Sequence, residues 1–142
     1  MTRSPRSFTR HLPTAGRILM GLPMVAAGLI GLIHPMPAPL TLAPGALAFM
    51  NALKATGYMV PLIALTQLAA GLLLLANRFV PLALVLLAPF LVNAVLFHAF
   101  LERGGLVPAL VCLALEAGLA WAHRDAFSGV LRARNRTGPG GR

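Results

Sequence analysis

Four long apolar stretches limit what this chain can fold into. They cover residues 16–33, 58–76, 80–101 and 105–123, and each is close to the ~20 residues that a helix needs to cross ~30 Å of hydrocarbon. Over the whole chain 58% of the residues are hydrophobic and 11% are charged, whereas a soluble domain has roughly a quarter of its residues charged. We therefore expect an integral membrane protein.

The connections between these stretches predict how the spans are arranged. Backbone polar groups cannot stay unpaired in lipid, so each span should be a helix. The short connections 77–79 and 102–104 make successive helices antiparallel neighbours. The longer connection 34–57 starts with prolines and continues with apolar residues at helical spacing, which predicts a short interfacial helix between spans one and two. The expected fold is all-α, a four-helix up-down transmembrane bundle over residues 16–127.

Basic residues are concentrated on one side of the expected membrane. Of the twelve Lys and Arg residues, four precede residue 18, one is Arg78 between spans two and three, and five lie from Arg124 onward. Basic residues near span ends stay in the cytoplasm, so this split predicts that both termini are cytoplasmic. The two basic tails, 1–15 and 128–142, lack apolar periodicity and are expected to be disordered.

The net charge of +9 does not indicate a nucleic-acid partner. Basic clusters that flank apolar spans act as topology signals and as contacts for anionic lipid, so the expected partner is the bilayer.

Cys112 is the only cysteine, which excludes an intrachain disulfide or a C-x-x-C thiol pair. The sequence also lacks a Gly-rich phosphate loop and a nucleophile elbow, and it does not decide whether the chain is an enzyme.

Three polar residues are expected at one depth near the middle of the bilayer. Gln67 lies nine residues after Tyr58, Asn93 lies eight before Leu101, and Glu116 lies eleven after Gly105, which places them within about 5 Å of one level. A carboxyl group at such depth usually faces a bundle interior or a water-filled cavity. Gln67, Asn93 and Glu116 are therefore the leading candidates for a ligand site, and structural hydrogen bonding between helices is the alternative.

A second candidate cluster is expected near the outer surface. His34 ends span one, while His98 and Glu102 are four residues apart on one face of span three. This spacing suits a proton relay or half of a metal site, and it also suits an interfacial histidine beside a solvated carboxylate. Because three or four ligands cannot be counted from the spacing, we assign no metal to these residues.

Small residues recur where helices are expected to pack closely. Ala114, Gly118 and Ala122 form a stripe on span four, and Ala27 and Gly31 form a shorter one on span one. Such stripes let helix backbones approach each other in membranes. They predict close helix contacts within the bundle or between copies in a homo-oligomer.

Two segments of the chain are distinctive, GLLLLANRFVPLAL and VNAVLFHAFL. With GRILMGLPMVAAGLIGLIHP, PFLVNAVLFHAFLERGGL and LEAGLAWAHRDAF they cover about residues 16–127 in a fixed order. In this order and spacing the chain resembles the DoxX family of small four-span bacterial membrane proteins. Asn93, Phe97, His98 and Glu116 match the family pattern, whereas Gln67 replaces an acidic residue that many relatives have, so a role that needs a charge there does not carry over.

The resemblance implies a location and a class of function. It implies a multi-pass protein of the bacterial cytoplasmic (inner) membrane, acting as an accessory or quinone-facing subunit of a redox complex in sulfur oxidation or oxidative and thiol stress. A quinone is then the implied cofactor, and membrane or soluble redox proteins are the implied partners. The alternative is a small solute transporter or a non-catalytic membrane scaffold built on the same polar residues.

Overall fold

The computed structural model describes residues 6–33 and 42–127, with side chains from Pro13 onward. Its six helices in chain order are α1 (Arg6–Ile33), α2 (Pro44–Ala55), α3 (Met59–Leu75), α4 (Val80–Phe100), α5 (Leu106–Ala122) and α6 (Arg124–Phe127). A 3₁₀ turn at Arg103–Gly105 joins α4 to α5, and the described ranges contain no strand. The all-α expectation is confirmed for this part of the chain.

Three helical segments are each long and apolar enough to cross a membrane: Pro13–Ile33, Val80–Phe100 and Arg103–Ala122. A fourth crossing requires α2 and α3 to be taken together, and these two helices meet at an angle of 91°. On its own α3 has 17 residues, or about 25 Å of helix, which is short for ~30 Å of hydrocarbon.

Helix boundaries agree with the apolar stretches except at the N-terminus. The predicted tail 1–15 is helical from Arg6, because α1 continues ten residues before the expected start of span one. Apolar periodicity marks only the part of a helix that meets lipid, so it does not detect a polar extension. The short helix α2 was expected from its spacing, and α6 was not. Residues 1–5 and the predicted tail 128–142 lie outside the described residues.

Helices α1 and α3 touch backbone to backbone. A Cβ added to Gly28 would lie 2.7 Å from the Ala64 carbonyl oxygen, and one added to Gly71 would lie 2.8 Å from the Val25 nitrogen. Gly31 is similarly tight, since its added Cβ would lie 2.9 Å from the Cβ of Ala64. Glycine is needed at these positions because any side chain would separate the helices.

The small-residue stripe on span four does not pack within the described chain. Ala114, Gly118 and Ala122 are all exposed, and a Cβ added to Gly118 would have no neighbour within 4 Å. The expectation of a close contact within the bundle at this stripe is therefore wrong for the described residues. The inward face of α5 is a different stripe, which includes the buried residues Ala109, Glu116 and Leu119.

The helices pack in a ring in which α1 contacts α3 and α5, and α4 contacts the same two helices. The apolar core of this helix assembly lies beside the α3–α4 turn. The core side chains are Met20, Met24, Ala70, Leu74, Val80, Ala83, Leu84, Leu87, Leu91 and Leu119. Toward the other end, beside the α4–α5 turn, α1, α3 and α4 enclose a pocket instead of a filled core.

Candidate ligand pocket

A pocket of about 520 Å³ lies between α1, α3 and α4, and α2 forms part of its wall. Most of the wall is apolar, and it includes Ile30 of α1, Phe49 and Leu53 of α2, and Ile63 of α3. The volume falls in the range that small-molecule sites occupy. A largely apolar wall with a few polar groups is the usual composition of such a site.

Gln67 places an unpaired amide in this apolar wall. Gln67 is only 8% exposed, and its side chain has no hydrogen-bond partner within the described part of the chain. Neither amide atom is among the fully enclosed unpaired atoms, so the amide retains access to the pocket. A buried amide normally has a partner because leaving it unpaired in apolar surroundings costs about 1–3 kcal/mol.

The other polar groups of the pocket lie on α4 and on the turn that follows it. Asn93, His98 and Glu102 all line the pocket. Asn93 and His98 are five residues apart on one helix, which corresponds to about 7.5 Å along its axis. The pocket therefore has one polar level at the buried Gln67 and the exposed Asn93, and a second level at His98 and Glu102.

His98 and Glu102 are held together by several hydrogen bonds. The Nδ1 atom of His98 lies 2.9 Å from the backbone oxygen of Glu102 and 3.2 Å from its Oε2 atom. Gly104 and Gly105 donate their backbone N–H groups to the Glu102 carboxylate at 2.8 Å and 3.3 Å. Glu102 thereby caps the 3₁₀ turn and fixes one edge of the imidazole ring.

These bonds favour the ionised form of Glu102. The hydrogen bond from the Gly104 amide lowers the pKa of the Glu102 carboxyl, partial desolvation opposes this, and the Gly105 amide and His98 lower it further. Hydrogen bonding to a carboxylate stabilises its charged form. Glu102 is thus a fixed negative group at one end of the pocket.

Gly105 and Phe97 define where the imidazole ring of His98 sits. A Cβ at Gly105 would overlap the ring, so the ring occupies space that only glycine leaves free. Phe97 packs against His98 edge to face, with ring centroids 5.1 Å apart. Phe97 also contacts Phe49 of α2, with ring centroids 5.5 Å apart, which links α2 to the wall of the pocket.

Glu116 does not belong to this pocket. It is 6% exposed on the inward face of α5, whereas the residues that line the pocket come from α1 to α4 and the adjoining connections. The expectation that Gln67, Asn93 and Glu116 form one site is therefore wrong for Glu116. Equal depth did not place the three together, because depth says nothing about which side of a helix a residue occupies. The Oε1 atom of Glu116 is buried and has no partner among the described residues.

Two of the three residues of the second cluster predicted from sequence, His98 and Glu102, lie in the described part of the chain. His98 and Glu102 are paired, and they share a pocket with Gln67 and Asn93, which the sequence places in a separate cluster. His34 lies outside the described residues. Within the described ranges, no group of three or more His, Cys, Asp and Glu side chains is arranged to hold a metal ion.

Two contributors to the pocket were missed from the sequence. One is the face of α2 formed by Phe49, Met50 and Leu53, although its helical spacing was visible. The other is Gly105, whose role follows only from the position of the His98 ring. An aromatic residue at helical spacing within a predicted interfacial helix was the available signal for Phe49.

The described chain is an all-helical protein with three helices that are long and apolar enough to span a membrane, or four if α2 and α3 make one bent span. This is consistent with a multi-pass membrane protein, and the large apolar side chains exposed on the outer faces of α1, α4 and α5 fit a lipid environment. No family model, curated protein or solved structure matches the chain.

Proposed function

We propose that this chain is a four-span protein of the bacterial cytoplasmic membrane whose pocket binds the head group of a lipophilic ring compound, such as a quinone. The unpaired amide of Gln67 carries this proposal, because it lies in an apolar wall and lacks a partner among the described residues. A ligand with oxygen atoms on a flat apolar ring would satisfy the amide and fill the remaining space.

In this proposal the protein is an accessory subunit of a membrane redox complex, as its resemblance to the DoxX family implies. The helix pair α2 and α3 makes the remaining span and its interfacial approach, with the 91° bend at the membrane surface. Both termini are cytoplasmic, and the pocket opens toward the opposite face. The basic residues at the two ends of the chain support this orientation.

The test is mass spectrometry of the protein extracted gently with its native lipids. We expect a co-purifying quinone or similar ring compound in the wild type. In Ala94→Phe, which places a large ring in the pocket wall, the compound should be lost. The control is Ala117→Phe, because Ala117 is exposed on α5 and lies outside the pocket.

Two outcomes would contradict the proposal. One is the absence of any ring compound from the wild-type protein, and the other is equal ligand content in Ala94→Phe and Ala117→Phe. The same mass spectra would show whether redox proteins co-purify. Solute uptake into vesicles without a bound ring compound would instead support the transporter alternative.

A further inference from the structure

The hydrogen bonds of His98 determine which of its ring nitrogens carries a proton. Both groups near Nδ1, the backbone oxygen and the Oε2 atom of Glu102, are acceptors, at 2.9 Å and 3.2 Å. Two acceptors require a donor between them, so Nδ1 carries the hydrogen. In the neutral ring Nε2 is then an unprotonated acceptor.

Nε2 is open to a ligand. It has no hydrogen-bond partner among the described residues, and it is not one of the fully enclosed unpaired atoms of the part of the chain that the structure describes. The His98 side chain is 25% exposed and lines the pocket. The acceptor atom is therefore accessible while the opposite edge of the ring is fixed by Glu102.

The two amides of the pocket do not discriminate in this way. Gln67 and Asn93 each carry an amide, and an amide can present either its oxygen or its NH₂ group to a ligand. The neutral imidazole of His98 cannot exchange its two nitrogens without breaking its bonds to Glu102. Glu102 also carries only acceptors, but both of its carboxylate oxygens already have partners in His98, Gly104 and Gly105, so Nε2 of His98 is the fixed acceptor that lacks a partner within the described pocket wall.

We propose that His98, held by Glu102, makes the pocket select lipophilic rings that carry a hydroxyl donor over the same rings carrying only carbonyl or ether oxygens. This inference rests on the proposed binding of a lipophilic ring. For a quinone ligand it means that the reduced, hydroxyl-bearing form binds more tightly than the oxidised, carbonyl form. His98 is the residue that distinguishes the two forms.

The first measurement is the tautomer of His98. Nitrogen NMR of the ¹⁵N-histidine-labelled protein at about pH 8.5, where an ordinary imidazole is neutral, should show a protonated Nδ1 and an unprotonated Nε2. The His98 signals are assigned by their absence in His98→Asn. The opposite tautomer, or a ring protonated on both nitrogens, would overturn the proposal.

The second measurement compares two probes, 4-hexylphenol and its methyl ether, in nanodiscs, with protein-free nanodiscs to subtract partitioning into lipid. One neutral hydrogen bond should make the phenol bind about three- to tenfold more tightly than the ether. In His98→Asn the side-chain amide can take the place of Nδ1, but no group takes the place of Nε2. The affinity ratio of phenol to ether should then fall to about what the smaller size of the phenol alone produces. Affinity for the ether should stay unchanged, which shows that the pocket is intact.

Gly105→Ala tests the position of the ring while keeping the histidine. Its added Cβ displaces the imidazole, so the preference for the phenol should fall as it does in His98→Asn. Gly118→Ala is the matched control and should keep the preference, because its added Cβ meets open space.

The outcomes separate this inference from the proposed function. Binding of both probes with a preference that His98→Asn leaves unchanged would overturn the selectivity and leave the ring-binding pocket standing. Failure of the wild type to bind either probe would overturn the ring-binding pocket and the selectivity together.

Discussion

Two glutamates in this chain have opposite surroundings. Glu102 lies in a turn between helices, where two backbone amides donate to its carboxylate. Glu116 lies on the inward face of α5 with its Oε1 atom buried and unpaired in the described structure. The first carboxyl group is stabilised by its partners, and the second is buried at a cost that nothing on the described chain offsets.

Replacing Glu116 with Leu should stabilise the helix assembly. The change removes a buried polar group without a partner and leaves an apolar side chain of similar size, so we expect the free energy of unfolding to rise by about 1–3 kcal/mol. Thermal unfolding in detergent measures this. Leu119→Ala, on the same face of α5, should instead lower it by about 2–5 kcal/mol.

The ligand content of the pocket should not change in Glu116→Leu, because Glu116 lies outside the pocket. A loss of bound ligand would show that Glu116 contributes to binding. A loss of stability would show that its carboxyl group has a stabilising partner.

Protonation of Glu102 should require a pH below the ordinary carboxyl value of 4.5, because its hydrogen bonds lower its pKa. A lowered pKa in the folded protein means that the stabilisation is present at higher pH and is lost as the pH falls through the lowered value. Carbon NMR of the Glu102 carboxyl should therefore show a midpoint below 4.5. In Gly104→Pro, which removes the strongest amide donor, the midpoint should rise; no rise would contradict the assignment of that donor.

At the scale of helices, the closest contact is between α1 and α3. The backbones of these helices meet at glycines, while the exposed glycine of α5 meets nothing. Small residues therefore have two different roles in the same chain. They permit close packing on α1 and α3, and they form an unoccupied surface on α5 within the described residues.

Gly28→Ala should destabilise the α1–α3 pair. The new methyl group would lie 2.7 Å from backbone atoms of α3, which cannot rotate away as a side chain could, so we expect a loss of about 1–3 kcal/mol. Gly118→Ala is the matched control, and it should be neutral or stabilising by up to about 1 kcal/mol because alanine favours helices. Thermal unfolding of the two variants in one detergent provides the comparison, and equal effects would contradict the close contact.

Removing Phe49 should loosen α2 from the rest of the molecule. The aromatic contact with Phe97 contributes about 0.5–1.5 kcal/mol beyond its buried area, so Phe49→Ala should speed amide exchange in α2 by about two- to tenfold. Phe100→Ala serves as the control because Phe100 is 81% exposed. If both variants exchange alike in α2, the aromatic contact does not hold this helix in place.

At the scale of the whole molecule, the packed core and the pocket occupy opposite ends of the helix assembly. The core lies beside the α3–α4 turn, which contains Arg78, and the pocket lies beside the α4–α5 turn. If the basic side is cytoplasmic, the pocket is open toward the outer leaflet or the outer aqueous phase. Lipophilic ligands would then reach it from the membrane.

Cysteine labelling tests this orientation. In a Cys112→Ser background, Ala43→Cys should react with an impermeant thiol reagent in intact cells, and Ala76→Cys should react only after the membrane is opened. Both alanines are exposed at helix ends, so accessibility within the protein is matched. The reverse pattern would place the termini outside the cell. Labelling of both cysteines in intact cells would show that residues 43 and 76 lie on the same side of the membrane, which contradicts a single span between them.

Much of the helix assignment was predicted from the sequence. The apolar stretches 58–76, 80–101 and 105–123 correspond closely to α3, α4 and α5, because a run of apolar residues long enough for lipid must be helical to pair its backbone. The candidate site was predicted less well. Gln67, Asn93, His98 and Glu102 were named, but they were divided between two clusters, and Glu116 was grouped with the wrong partners.

The sequence by itself determined the helices, their apolar character and the bias of basic charge, since these depend on composition and on spacing along one segment. Only the tertiary structure decided which helix faces meet: glycines on α1 and α3 rather than on α5, and Gln67 with His98 rather than with Glu116. The physical reason is that rotation of a helix about its axis is fixed by contacts with other helices. In a helix that is apolar on every side, as α3 and α4 nearly are, the sequence carries little signal for that rotation.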